Sequence, residues 1–237
     1  MNDELQKIKK DLEPSVGDYA HTGVRALLSG HPPAEIFSII VMPPLEKRRN
    51  EWMVEIFSRI KELEGEKGKE EFKIENLAKN EVFISMFLYA TQVAMRTHQK
   101  EKRDALRNAV INSAFPNSLD EDLQLIFLNM IDTFTPWHIR ILKFYQDPKR
   151  WFKKLGKDPV YNGNPAEALL RAFPDLSSKQ SLYEQIINDL NSRGLLSLDK
   201  PILYTTVTSP GDLSRTTEVG NAFLQFIESP DEVTNQP

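Results

Sequence analysis

Hydrophobic positions recur along most of this chain at the spacing of a helix. After Pro44, Leu45, Trp52, Met53, Ile56, Phe57, Ile60 and Leu63 fall three and four residues apart, which predicts an amphipathic helix with Pro44 in its first turn. "GEKGKEE" then reads as an exposed break. Ile74, Leu77 and Ala78 mark a second helix, continuous with a third that carries Val82, Phe83, Met86, Phe87, Ala90, Val93 and Ala94. The stripe of this third helix is wide enough to be buried on most sides. A fourth helix runs from about residue 101 to 113, with Ala105, Leu106, Ala109 and Val110 inward.

The next helices announce their own starts. Ser118 and Glu121 have the capping-box spacing, followed by a core stripe of Leu123, Ile126, Phe127, Met130, Ile131 and Phe134. In "TPWHIRILKFYQDP" Thr135 caps, Pro136 takes the first helical position and Asp147-Pro148 stops the helix. Asn164, Pro165 and Glu167 repeat the pattern. Residues 148–164, rich in Lys, Pro and Gly, read as a linker between the two starts.

Residues 177–193 form a further helix with Leu182, Ile186, Ile187 and Leu190 inward, and Gly194 is placed to cap its end. "LLSL" and "ILYTTVTS" read as strands, and Val219, Phe223, Phe226 and Ile227 as a closing helix. The fold class expected is therefore mainly α. A helical bundle at 44–172 is followed by a small winged-helix-like α/β module at 173–229. Residues 1–43, broken by seven Pro and Gly residues, read as an irregular arm with one or two short helices, and 230–237 as a disordered tail.

Composition narrows the classes. The chain has 237 residues, 40% hydrophobic and 27% charged, which is the balance of a soluble globular protein. The absence of cysteine excludes disulfides, thiolate metal sites and Cys nucleophiles, and fits a reducing compartment such as the cytoplasm. "MNDELQKIKKDLEPS" lacks the apolar core of a signal peptide. The apolar run "IFSIIVM" is far short of the roughly 20 residues that span a bilayer.

Candidate chemistry is sparse. His21, His31, His98 and His138 include no pair at i, i+4 and no HExxH, so no metal and no cofactor are expected. No phosphate-cradling glycine loop and no GxSxG is present. Asp120, Glu121 and Asp122 stand in the first turn of a helix, where carboxylates favour the dipole. Arg25 and His31 have the spacing of some helical ribonucleases, but Gly30, Pro32 and Pro33 interrupt the helix such a pair needs. The expectation is a protein that is not an enzyme.

The one concentrated charge is "KFYQDPKRWFKKLGK", residues 143–157, with six basic residues against Asp147 and four interleaved aromatics. Lys149, Arg150, Lys153 and Lys154 could neutralise phosphates, and Trp151 could stack on a base. A solvated linker whose aromatics anchor it to the core accounts for the same pattern. The winged-helix-like module points elsewhere. From Asp175 to Glu228 it has four basic residues and seven acidic ones, a balance that suits protein docking better than phosphate contact. If that module met nucleic acid or a partner, Lys179, Tyr183, Arg193 and Arg215 would be the contacts.

Three segments, "TPWHIRILKFYQDP", "LYEQIINDLNSRGLL" and "SRTTEVGNAFLQFI", resemble a widespread group of uncharacterised bacterial proteins. That group has a similar "TPWH…IL…DP" helix, a "DL…RGL" helix end and a closing "RTT…G…FL.FI" helix. The resemblance covers roughly residues 70–228 and implies a bacterial cytosolic protein, with no catalytic residue to carry over. The layout has a looser similarity to helical proteins of phage abortive-infection type. The leading expectation is a non-enzymatic interaction protein that associates with another protein or with itself. The alternatives are a nucleic-acid-binding regulator using residues 143–157 and the wing, and a defence-linked hydrolase or nuclease. The last would need His31 or His138 to meet an acid or an arginine.

Overall fold

The computed structural model describes residues 33–65, 70–115, 119–157, 163–206 and 214–230, with the side chains of 33–43 left aside. These residues form eleven α-helices, so the protein is mainly helical. They are α1 (Pro33–Glu64), α2 (Ile74–Leu77), α3 (Glu81–Arg96), α4 (Lys100–Ser113), α5 (Glu121–Thr133), α6 (Pro136–Gln146), α7 (Pro148–Lys154), α8 (Pro165–Ala172), α9 (Gln180–Ser192), α10 (Lys200–Leu203) and α11 (Glu218–Ile227). Short 3-10 turns lie at Glu70–Phe72 and Pro174–Leu176. The chain divides into two compact units between Leu128 and Asn129, within α5.

In the first unit α1 packs on α3 and α4, and α3 on α4. The core side of α1 is the stripe Trp52, Ile56, Ile60 and Leu63, and that of α3 is Phe83, Met86, Ala90, Val93 and Ala94. Three contacts fix α1 antiparallel to α3. Arg48 donates to the Met95 carbonyl at 3.2 Å, the Trp52 indole donates to Thr91 Oγ1 at 2.9 Å, and the Phe57 and Phe87 rings lie 6.4 Å apart. The indole bond matters because Trp52 is fully buried, and a buried donor left without an acceptor costs about 1–3 kcal/mol.

Three expectations for this unit change. The first helix begins at Pro33, not Pro44, so residues 33–43 are helical and not part of an irregular arm. Pro33 takes the first-turn place, and Pro43 and Pro44 pass within the helix, each lacking one backbone donor. The second and third helices are separate, because Asn80 turns extended and its side chain accepts from the Phe83 amide at 3.0 Å, which starts α3 afresh. On α5 Ile126 is exposed, and Leu128 is buried in its stead. The arm over residues 1–32, with His21, Arg25 and His31, lies outside the described residues, as does most of the expected tail.

In the second unit α6 packs against α9 and α11. Its buried apolar residues are Ile139, Ile141, Leu142, Phe144 and Tyr145. They meet a unit core to which α9 gives Tyr183, Ile186, Ile187 and Leu190, and α11 gives Phe223, Leu224, Phe226 and Ile227. Leu182 and Val219, expected inward, are exposed; Tyr183 and Gly220 take the inward places. Gly194 has φ +72°, the left-handed geometry of a helix-ending glycine, and the Leu195 amide reaches back to the Leu190 carbonyl at 2.9 Å.

The predicted linker and wing both differ from the structure. Residues 148–154 form α7 because Asp147 does two jobs. It ends α6, and its side chain accepts from the Arg150 amide at 2.8 Å to cap α7, with Pro148 at the first position. No strand of a winged-helix β-hairpin forms among the described residues. Leu196 and Thr216 make a single antiparallel bridge, flanked by bonds from the Ser197 amide to the Arg215 carbonyl and from the Thr217 amide to the Leu195 carbonyl. The second expected strand begins as α10. Asp199 accepts from the Ile202 amide at 2.9 Å and Pro201 follows Lys200, a helix start that outweighs the β-branched sequence after it. Residues 207–213 lie outside the described residues.

Candidate interaction surfaces

The aromatics of the basic segment belong to the core. Phe144, Tyr145 and Phe152 are fully buried, and Trp151 is half-buried. Phe144 sits edge-on to Tyr145, Trp151, Phe152 and Phe173 at 4.9–6.3 Å, and Trp151 also leans on Phe173 at 5.2 Å. Base stacking by Phe144, Tyr145 or Phe152 would require this cluster to open. Trp137 joins from α6, edge-on to Phe173 at 5.5 Å and covered by the Arg140 guanidinium at 5.2 Å.

The six cations of the segment divide. Lys143 pairs with Glu228 at 3.6 Å, and Lys157 donates to the Arg171 carbonyl at 2.7 Å. Lys149, Arg150, Lys153 and Lys154 are exposed and form no ion pair among the described residues. They occupy one side of α7, while Pro148 and Phe152 on the other side are buried.

Of the remaining residues singled out by sequence, Tyr183, Arg193 and Arg215 have structural employment. Tyr183 is buried, with its hydroxyl 3.3 Å from that of Tyr204. Arg193 lies at the end of α9 with its guanidinium 5.1 Å over the Phe134 ring. Arg215 donates its amide to the Tyr145 carbonyl at 2.8 Å and its side chain to the Ser214 carbonyl. Lys179 is exposed just before α9.

Two polar constellations in this unit were not legible as such. In the first, Glu184 accepts from the Tyr204 hydroxyl at 2.6 Å and from Gln180 at 2.8 Å through one oxygen, and from Lys200 at 3.1 Å through the other. These donors, Tyr204 first, pull the Glu184 carboxyl down to about 2. The Tyr204 phenol is pushed up, by burial and by the adjacent carboxylate. The group ties α9 to α10.

The second centres on His138, which is buried at the third position of α6. Its Nδ1 accepts from the Thr135 amide at 3.1 Å, doing the work of the glutamate in a capping box. Nε2 faces Asp189 Oδ2 at 3.5 Å, and the ring stacks on Phe134 at 4.7 Å. Burial lowers the imidazole below its ordinary value, against the raising effect of Asp189. An imidazole thus does meet an acid here, with both ring nitrogens engaged by the fold. A T-x-x-H spacing at a helix start is the signal that could have revealed the cap.

In the first unit, α3 carries a second stripe beside the buried one. Ile84, Phe87, Leu88, Thr91 and Met95 follow helical spacing, and all except the exposed Leu88 are half-buried. Leu88 is 56% exposed, and Phe57, whose ring meets Phe87, is 45% exposed. A cavity of about 330 Å³ lies elsewhere in the unit, lined by Glu71, Asn80, Ser113, Phe115, Glu121 and Gln124 among others. Among its polar groups, Asn80 caps α3, Ser113 donates to the Val110 carbonyl and Gln124 to the Leu119 carbonyl.

No family model, curated protein or solved structure matches the chain. No helix among the described residues is long and apolar enough to cross a membrane.

Proposed function

We propose that this is a non-enzymatic interaction protein of the bacterial cytoplasm that associates with a second copy of itself through the apolar shoulder of α3. The observation that carries the reading is the pair Leu88 and Phe57, both large, apolar and about half exposed beside Phe87. The core of its own unit covers one face of α3, and α1 meets Phe87 and Thr91 on the second, which leaves Leu88 and Phe57 at its edge to be covered. The rim suits a second copy. The surface of α1 carries the balanced pairs Lys47–Glu51, Arg59–Glu62 and Lys61–Glu64. A charge-balanced rim is compatible with itself across a two-fold axis, as an isologous interface requires.

The non-enzymatic part is supported by His138 and Glu184, whose polar atoms are engaged in a helix cap and an interhelix staple. Sedimentation velocity over a concentration series tests the association. The wild-type chain is expected to shift from monomer to dimer, and Leu88→Arg to remain monomeric with its circular dichroism unchanged. A wild-type monomer at every concentration, or a Leu88→Arg dimer of unchanged affinity, would overturn the reading.

A further inference from the structure

We infer that the outward face of α7 is a docking site for the phosphate backbone of duplex nucleic acid. Lys149 and Lys153 are four residues apart, as are Arg150 and Lys154, so two adjacent ridges of the helix end in cations. At 100° per residue the four cover an arc of roughly 140°, with the cations of each ridge about 6 Å apart at Cβ. All four are exposed without an ion pair among the described residues, so no internal partner has to be displaced before a phosphate is met.

The face is held rigidly. Asp147 caps α7, Pro148 fixes its first turn, and Phe152 anchors its underside at full burial against Phe144. A fixed array of cations suits a regular array of phosphates, because little side-chain and backbone freedom is lost on contact. Acids elsewhere in the chain, whose net charge is −4, are screened beyond about 10 Å at ordinary salt.

The same geometry selects the partner. Single-stranded nucleic acid is held largely by stacking on exposed aromatics, and Phe144, Tyr145 and Phe152 are buried while Trp151 is packed between Phe144 and Phe173. An anionic bilayer is held by an amphipathic helix that turns its apolar face to lipid, and here that face is turned into the protein's own core, with only Leu155 exposed beside the lysines. Contact with the phosphates of a duplex needs neither aromatics nor an apolar face.

Fluorescence anisotropy with a short random-sequence duplex, the matching single strand, and sedimentation with phosphatidylserine-containing vesicles test this on the full chain. Duplex binding is expected to weaken about a hundredfold between about 50 and 200 mM salt, as four phosphate contacts at a slope of roughly −0.9 each require. The variant Lys149→Gln, Arg150→Gln, Lys153→Gln, Lys154→Gln is expected to lose that binding with its melting temperature kept. Should the fourfold change unfold the chain, Lys149→Gln and Lys153→Gln made singly are each expected to lower the salt slope by about 1. The inference is overturned by no duplex binding at low salt, by salt slopes unchanged in these variants, or by preference for the single strand or the vesicles over the duplex.

Discussion

Gly220, in the first turn of α11, lies so close to Leu195 that a Cβ built on it would stand 2.1 Å from the Leu195 carbonyl oxygen. The same oxygen accepts from the Thr217 amide at 3.1 Å, and the Thr217 hydroxyl caps the helix by accepting from the Gly220 amide at 2.9 Å. The start of α11 is thus seated directly on the backbone that follows α9. Gly220→Ala would raise helix propensity by about 1 kcal/mol in isolation. Here it must push two backbones apart, and overpacking of this kind costs about 1–3 kcal/mol. The expected outcome is a lower denaturation midpoint for Gly220→Ala. An unchanged or higher midpoint would show that the approach is looser than described.

The cap alone is a smaller matter. Thr217→Ala is expected to cost about 1 kcal/mol, and Thr217→Ser, which keeps the hydroxyl, a fraction of that. Urea titrations of the two variants beside the parent measure the difference.

Tyr204→Phe isolates the staple between α9 and α10. The Tyr204 hydroxyl is the largest cause of the depressed Glu184 carboxyl, at about 2. A depressed carboxylate adds stability above its ordinary value and loses it as pH falls towards the folded value, here from about 4.5 down to about 2. Side-chain carboxyl shifts followed by NMR are expected to show Glu184 titrating closer to the ordinary range in Tyr204→Phe. Because Gln180 and Lys200 still donate to the carboxylate in this variant, the change in stability is expected to be small.

Helix starts were legible where a capping residue and a proline coincide. Thr135-Pro136 and Asn164-Pro165 open α6 and α8 as read, because both signals act within one turn. Asp147-Pro148 carries the same signal, but the lysines and glycine after it suggest a linker, so in the sequence it marks only a stop. The wing failed for a related reason. Ile202, Tyr204 and Thr205 have strand-forming side chains, yet the Asp199 cap and Pro201 decide a local contest that propensity loses. The pairs Glu184–Tyr204 and His138–Asp189 are 20 and 51 residues apart in sequence, and no single-chain pattern brings such partners together.

Phe152→Ala tests whether the aromatics of the basic segment serve the core. Phe152 is fully buried, edge-on to Phe144 at 5.9 Å and beneath the Arg171 guanidinium at 5.4 Å. Removing a buried phenyl ring costs about 3–5 kcal/mol, so thermal unfolding is expected well below that of the parent. Replacing the exposed Lys153 with Ala, one position on, is expected to leave it within about 0.5 kcal/mol. Equal, small effects at both positions would mean that the segment is not packed as described.

His138 makes stability depend on pH in a defined direction. Its Nδ1 accepts a hydrogen bond from the Thr135 amide, so the neutral ring carries its proton on Nε2, towards Asp189. A second proton would sit on Nδ1, against the amide that now donates to it. Burial, the largest cause, holds the folded imidazole below its ordinary 6.5, with Arg193 adding to the shift and Asp189 opposing it. The unfolded chain therefore binds the proton first as pH falls. Stability is complete above about 6.5, declines below it by up to ~1.4 kcal/mol per pH unit, and levels off at the folded value. His138→Gln, whose side chain can still accept from Thr135, is expected to remove this decline between pH 7.5 and 5. Asp189→Asn is expected to steepen the total loss, since the group that favours the imidazolium is gone, and Arg193→Gln to reduce it. Guanidinium unfolding at successive pH values gives all four profiles, and parallel profiles for the parent and His138→Gln would place the titration elsewhere.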